Sequence, residues 1–465
     1  MHRTISTRST RALARGLAAA AAGALLAAGA CDSVTDTLLE AEDPDIISPE
    51  AVQSAEGADA LRVGALGRLR IITGGGEGAW LLGGLLVDEW KSSDTFSQRN
   101  ETDERKVQDN NGNVNGMLRE LYRPRVAARE AINALREYRP TPTWTIAQMY
   151  FVMGFAELTL AENFCNGTPL GDASTGVPES GPPLTNTQVF TLALAHFDSA
   201  LALAGATDAT TTAVRHAAAI SRARALVSLG RFADAAAAVA AVPTDYRLDA
   251  TFSLTAGNNQ IWALNTSAKR WTVGDSFDTS GIIRNALPFA SARDPRLPVT
   301  GTATGTSPAG RGFDGSTNFI FQTIYGRTDA TPIVSGVDAR LYEAEARLQA
   351  NDVAGMMTIL NTLRSAPRTL GAVTTPAMAA LPTPATRDAA IDLYFREKAF
   401  WTFGRGQRLP DLRRLVRQYG RAQENVFPVG TFFKTAQPYG ADVNFPVTRD
   451  ELNNPDFKEC IDRRA

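Results

Sequence analysis

The most conspicuous pair of acids in the chain is Asp88-Glu89, followed directly by Trp90. Two carboxylates facing each other across one bond are what a glycosidase needs. Adjacent residues on a helix point about 100° apart, so this pair is poorly placed to flank a bond. Helix-end or loop carboxylates are the better reading. Three histidines exist; His2 lies in the N-terminal leader, and His196 and His216 fall within helical stretches. A zinc site or a serine triad therefore has almost no material. No lysine follows Gly74, Gly75, Gly76 and Gly78, so a flexible turn fits better than a phosphate loop. Asp109, Asn111, Asn113 and Asn115 alternate ahead of Glu120, as in a calcium loop, but Val114 stands where that loop requires glycine. An Asn/Gly turn before a helix at Met117 is the reading preferred. We expect no metal, no cofactor and no enzyme.

Recognition chemistry is better supplied. The stretch from Asp88 to Asn100 sets Trp90 and Phe96 beside Arg99, Asn100 and several hydroxyls, after an apolar helix. Flat rings stack on apolar sugar faces while amides and charged groups bond hydroxyls, and a peptide could use the same groups. Trp262, Trp271 and Tyr325 are scattered through a second loop-rich region. We expect the two regions to meet in one aromatic-lined surface patch. The competing reading, in which Trp90 and Phe96 anchor the loop to the core, stays open.

The elements that must position these residues are helices. Residues 46–241 read as mostly helical; Phe190, Leu194, Phe197 and Leu201 form an apolar stripe at i, i+4, i+7 and i+11. The string Ala225-Leu226-Val227-Ser228-Leu229-Gly230-Arg231-Phe232-Ala233-Asp234-Ala235 reads as helix, glycine turn, helix, with small residues permitting close approach. It is similar to a tetratricopeptide unit. A second copy follows at 342–360, with Asp352 as N-cap and Val353, Met357 and Leu360 on one face. Residues 147–161 with 188–204 make another candidate pair. Between 243 and 336 the helical period vanishes; 368–386 and 425–447 share that loop texture. The expected fold is all-α, a tetratricopeptide-like helix-pair scaffold with long, loop-rich inserted segments.

Composition agrees: 44% hydrophobic and 21% charged residues exclude wholesale disorder, collagen and a disulfide miniprotein. A formal charge of −2 gives no ground for nucleic-acid binding. Arg3, Arg8, Arg11 and Arg15 precede an apolar run at 16–28, and Ala28-Gly29-Ala30 leads into Cys31. This resembles a bacterial lipoprotein signal, with Ala28 where leucine is commoner. Residues 1–30 are read as the signal peptide, Cys31 as the lipidated residue, 31–45 as an anchored linker and 46–465 as the folded domain, its insert at about 243–336. Removing 1–30 takes four arginines and no acid, leaving 43 basic and 49 acidic side chains, a net of −6. No later window is apolar enough to span a bilayer, so membrane attachment is expected through the N-terminal lipid only. Cys165 and Cys460 remain as an even pair in an oxidising compartment; a disulfide is preferred over two buried thiols.

Three stretches together resemble the SusD/RagB family of outer-membrane nutrient-binding lipoproteins. One ends in Leu360-Asn361-Thr362-Leu363-Arg364. Another runs from Arg396-Glu397-Lys398-Ala399-Phe400 to Gly406-Gln407-Arg408-Leu409-Pro410-Asp411-Leu412-Arg413-Arg414. The third is Phe445-Pro446-Val447-Thr448, then Glu451 and Asn454-Pro455. Arg405 stands where the family usually has glutamate, and Thr448 replaces a proline. Glu397, Arg408, Asp411 and Arg414 are expected to pair between adjacent turns in a structural network. The resemblance implies a surface-exposed lipoprotein of the outer membrane that captures a nutrient oligomer, glycan before peptide, and passes it to a SusC-like TonB-dependent transporter. A tetratricopeptide-type envelope scaffold ranks second and a secreted glycoside hydrolase third. The family's ligand contacts come from variable loops, so the resemblance supplies no binding residue.

Overall fold

The computed structural model describes residues 53–76, 78–174, 177, 179–302 and 309–465. The leader 1–30, Cys31 and the linker 31–45 lie outside the described residues.

Helix α1 (Ala55–Gly74) starts at Ser54, whose hydroxyl accepts from the Gly57 amide at 2.9 Å. The short α2 (Ala79–Leu86) is apolar all round and wholly buried, as its composition requires. After β1 (Trp90–Ser92) and α3 (Ser97–Asp103), the long α4 (Gly112–Tyr138) begins at the alternating Asp/Asn string. Asn111 is its N-cap, accepting from the amides of Asn113 and Val114 at 3.1 and 3.2 Å. The string is thus a helix start, with the helix opening five residues ahead of Met117.

The next helices form antiparallel pairs. α5 (Trp144–Asn163) packs on α6 (Asn186–Leu203) through the expected stripe: Phe197 lies so close to Gly154 that a Cβ there would fall 2.8 Å from its ring. α7 (Ala209–Ser228) turns at Gly230, which takes φ +76°, into α8 (Phe232–Val239). α9 (Gly336–Gln349) and α10 (Val353–Arg364) make the second repeat-like pair, and Asp352 caps α10 by accepting from Gly355 at 2.8 Å. α11 (Arg387–Trp401) and α12 (Arg408–Arg417) complete the scaffold. Their turn is tight: Gly406 has φ +66°, and a Cβ there would meet the Trp80 indole at 2.1 Å. The molecule is mostly helical and built from helix pairs, as the periodicity predicted.

The loop-rich insert is closed at its base by a two-stranded ladder, β2 (Arg247–Ala250) against β4 (Thr331–Ser335), antiparallel with a register shift between Pro332 and Val334. Inside it β3 (Trp271–Val273) pairs antiparallel with β1, matching Trp90 to Val273 and Ser92 to Trp271. This ladder ties the N-terminal stretch to the insert. Its remaining strands are two residues long, and a six-residue π-helical turn spans Trp262–Ser267.

The C-terminal tail returns to the end of α5. The Cys165 amide bonds Phe445 O at 2.9 Å, the Ile461 amide bonds Asn166 O at 2.8 Å, and a disulfide joins Cys165 to Cys460 across 295 positions of sequence. Replacing both cysteines by serine should accelerate amide exchange at 457–465 by tenfold or more while α5 and α6 change little. Uniform acceleration throughout the molecule would contradict a role confined to the tail.

Candidate ligand-binding surface

The charged motifs of the C-terminal third are spent inside the molecule. Residues 408–415 of α12 are all buried, so every charge there needs a partner. Arg408 grips Asp88 in a fork, Nε to Oδ1 and Nη2 to Oδ2, each at 2.7 Å. Asp411 accepts from Lys398 at 2.7 Å and Arg414 at 2.8 Å; burial would raise its pKa, but these two charges hold it below the ordinary range. Arg414 also reaches Glu345 at 3.0 Å, where Tyr394 and Tyr419 converge at 3.0 and 2.7 Å. Arg413 has no carboxylate partner among the described residues; its Nη1 donates to the carbonyls of Ala161, Glu162 and Phe164 at the end of α5. The expectation of pairing between adjacent turns holds for Asp411–Arg414 alone. Arg408 reaches across to Asp88, and Glu397 takes Arg296 at 2.7 and 3.0 Å and Arg364 at 3.1 Å. Tertiary packing of the turn at Asp88 and the loop at Arg296 against these helices brings distant partners nearer than the next turn. Arg405 has its own answer in Asp338, at 3.0 and 2.6 Å.

The acid pair is therefore not a substrate clamp. Asp88 is committed to Arg408 and to the Leu287 amide at 2.8 Å. Glu89 is fully buried; Oε1 accepts from the Gly404 amide at 3.1 Å, and Oε2 has no hydrogen-bond partner among the described residues. Burial pushes its carboxyl up to about 8.

The expected binding residues divide. The two regions do meet, through β1 and β3 and through Ser93, whose amide and hydroxyl bond the carbonyls of Arg270 and Lys269 at 3.0 and 2.7 Å. The tryptophans, however, are core. Trp90 and Trp271 are both 0% exposed, edge to face at 6.4 Å, with Trp90 packed on Phe403 at 4.8 Å. As the largest apolar side chains on the ladder, they gain most from leaving water. Tyr325 is also buried. These three cannot stack on a ligand, which corrects the expected patch. Trp262 is half-buried beneath the Arg327 guanidinium at 5.7 Å. Arg99 is buried against Asp94, and Asn100 accepts from Ser92 and Lys434 at 2.7 and 2.9 Å. Of the seven, Phe96 alone is largely exposed, at 51%.

Phe96 belongs to a platform. The Arg270 guanidinium lies between two rings, 4.8 Å from Phe96 and 3.8 Å from Phe313, and is held by Asp94 at 2.7 Å. Phe313 is 49% exposed. Lys434 braces the platform, bonding Asp94 O at 2.6 Å, Asn100 at 2.9 Å and Asp314 at 2.9 Å. Burial opposes it, but bonds from Thr317 and Lys434 hold the Asp314 carboxyl at about 2. Beyond Lys434 the Phe433 ring lies 5.6 Å from its ammonium and 5.3 Å from that of Lys91, which pairs with Asp278 at 3.2 Å. Exposed rings alternate here with fixed hydrogen-bonding groups, the mixture that sugar or peptide recognition requires. Arg270, Phe313, Phe433 and Lys434 were not anticipated individually; the only signal was the loop texture of 243–336 and 425–447.

A larger cavity of about 610 Å³ lies between α1, α5, α7 and β2. Its walls are mainly apolar, among them Leu66, Phe151, Val214 and Leu248, and Arg70 stacks on Phe252 at 5.8 Å. Gln148, Asp249 and Ser253 add polar groups to its lining.

No family model matches the chain, and no curated protein matches it. Solved structures do. A SusD superfamily protein from Bacteroides fragilis aligns with TM-score 0.62 at 15% identity, over 87% of this chain and 99% of its own. A SusD-like carbohydrate binding protein from Bacteroides vulgatus gives 0.61 at 12% identity, over 87% and 97%. Surface glycan-binding protein A from Bacteroides uniformis gives 0.60 at 14% identity, over 87% and 99%. The chain has the SusD fold, and the resemblance carried by its C-terminal motifs is borne out at that level.

The buried Glu89 has a measurable consequence. Its folded-state value of about 8 lies above the ordinary 4.5, so the folded state binds this proton more tightly than the unfolded one. The stability it contributes is present at low pH and is lost as pH rises from the ordinary value towards about 8. Glu89→Gln should therefore gain on the wild type as pH increases through that window, by up to about 1.4 kcal/mol per pH unit. Urea denaturation of both proteins across the window checks this; a stability difference independent of pH would contradict it.

Proposed function

We propose that this chain is a member of the SusD/RagB family and works as a surface-exposed lipoprotein of the outer membrane, anchored through Cys31. It captures a nutrient oligomer, glycan before peptide, and hands it to a TonB-dependent transporter. The observation that carries the reading is the Phe96–Arg270–Phe313 platform, two half-exposed rings with a guanidinium fixed between them. Solved proteins of the same fold include ones named for carbohydrate and surface glycan binding, which supports a glycan as ligand. The lipoprotein-like start of the sequence supports the anchor, and no described helix is long and apolar enough to cross a membrane. Catalysis has little support, since both acids of the conspicuous pair are buried and Asp88 is held by Arg408.

Each stacked ring adds about 0.5–1.5 kcal/mol beyond simple burial, so a few contacts give the weak capture suited to a protein that must release its cargo. Titration calorimetry of the chain lacking residues 1–30, against neutral oligosaccharides and peptides, tests the reading. We expect micromolar binding of at least one oligosaccharide. Phe96→Ala combined with Phe313→Ala should weaken it tenfold or more with little change in melting temperature, because both rings are half in solvent. Absence of binding throughout the panel, or full affinity in the double variant, would contradict the proposal.

A further inference from the structure

Charge at the platform is unbalanced. Asp94 is one carboxylate shared by two guanidiniums: Oδ1 accepts from Arg270 Nη1 at 2.7 Å, and Oδ2 pairs with Arg99. Burial opposes it, but the two arginines hold the Asp94 carboxyl below its ordinary range, so its charge is already spent. Asp314 is likewise spent on Lys434 at 2.9 Å. Lys269 and Arg311 flank the turn that carries Phe313. The Phe313 amide bonds Lys269 O at 2.8 Å, and Arg311 Nη1 bonds Ser316 O at 2.9 Å. Both side chains are exposed, and neither has a carboxylate partner among the described residues. Arg99, Lys269, Arg270, Arg311 and Lys434 thus stand against two carboxylates, in a chain whose formal charge is −2. Three further acids in this neighbourhood have other partners. Asp278 pairs with Lys91 at 3.2 Å, Asp103 accepts from the Ser92 amide at 2.7 Å, and Glu101 accepts from Asn111 at 3.0 Å.

The edge that can use this excess belongs to Arg270. Phe96 and Phe313 lie against its guanidinium, and Nη1 is taken by Asp94. Nε and Nη2 take no hydrogen bond among the described residues; neither is enclosed, and the side chain is 23% exposed. Two N–H groups on one guanidinium edge form a planar fork that matches both oxygens of a carboxylate. The flanking rings displace water from the guanidinium, which strengthens an ion pair made at its edge. They also stand half exposed beside the fork, so a group bound there has an apolar surface within reach. A sugar ring that carries its own carboxylate uses both features. An acidic peptide brings the charge on a flexible stem and leaves the rings uncovered.

We propose that the platform selects acidic glycans: a uronate residue of a bound oligosaccharide sets its carboxylate on the Nε/Nη2 edge of Arg270, and Lys269 and Arg311 add attraction at longer range. The inference rests on the glycan-binding reading above and narrows its ligand to an anionic class. The test is calorimetric titration of hexasaccharides of galacturonate, mannuronate and guluronate, each as the free acid and as the methyl ester, with hexaglutamate alongside. Esterification removes the charge and keeps the ring and its hydroxyls. At least one acid should bind tenfold or more tightly than its ester at low salt, with the difference shrinking as salt is raised. Arg270→Gln should erase that difference. Lys269→Gln combined with Arg311→Gln should reduce it at unchanged melting temperature, since both side chains are exposed. If Arg270→Gln does not fold, the Lys269 and Arg311 double variant decides, and an acid preference unchanged there overturns the inference. Equal binding of acid and ester in every series overturns it and leaves glycan binding standing. An acid preference that survives Arg270→Gln, or hexaglutamate bound more tightly than any uronate, overturns it as well. No binding by acids, esters or neutral oligosaccharides overturns both readings.

Discussion

Buried charge must be answered by opposite charge or by hydrogen bonds, and α12 concentrates that demand. Within one helix and the turn before it, Arg405 fastens Asp338, Arg408 fastens Asp88, Arg413 closes the carbonyl end of α5, and Arg414 fastens Glu345. Gln418 adds the carbonyls of Val227 and Ser228 at the end of α7. Arg224 returns the contact, bonding Glu162 at 2.7 Å and Gly406 O at 2.8 Å. Elements hundreds of residues apart are thereby held to one axis. Breaking one partner of such a buried pair costs about 3–5 kcal/mol, because the other charge is left without water or counter-charge. The helix pairs could pack in several ways by apolar contact alone; this array selects one.

That commitment determines where recognition can occur. The densest acids and arginines of the chain are consumed in the interior, and the platform proposed to meet a ligand is built from loops. Those loops are rigidly based. The β1–β3 ladder is anchored by Trp90 and Trp271 below, and Arg270, at the next position before β3, emerges between Phe96 and Phe313. Burial of the two tryptophans and exposure of the two phenylalanines are complementary: the former fix the ladder, and the latter face solvent from it. Lys434 then joins the 431–439 segment to Asp94 and Asp314, so four separate stretches of sequence share one surface.

Much of this was legible in the residues, and the failures have a common cause. The Phe190–Leu194–Phe197 stripe, the Gly230 turn and the Asp352 cap are local signals, each complete within a few positions, and each was readable. The texture change at 243–336 likewise marked where the helices yield to short strands. Trp90 and Phe96 had the same local signature, an aromatic in a polar stretch, yet one is core and the other is exposed. What separates them is the pairing of 90–92 with 271–273, across some 180 positions. The partners of Glu397 and Arg408 were missed for the same reason: Arg296 and Asp88 lie 101 and 320 positions away. Helical period carries no information about such contacts.

The central claim is that the buried charges build the fold and the loop surface meets the ligand. A crystal structure of the protein soaked with the oligosaccharide it binds most tightly tests this directly. The account predicts sugar density against Phe96, Arg270 and Phe313, with Asp88 and Arg408 still paired and dry. Density lodged along the helix pairs or in the cavity beside Arg70, with the platform bare, would contradict it.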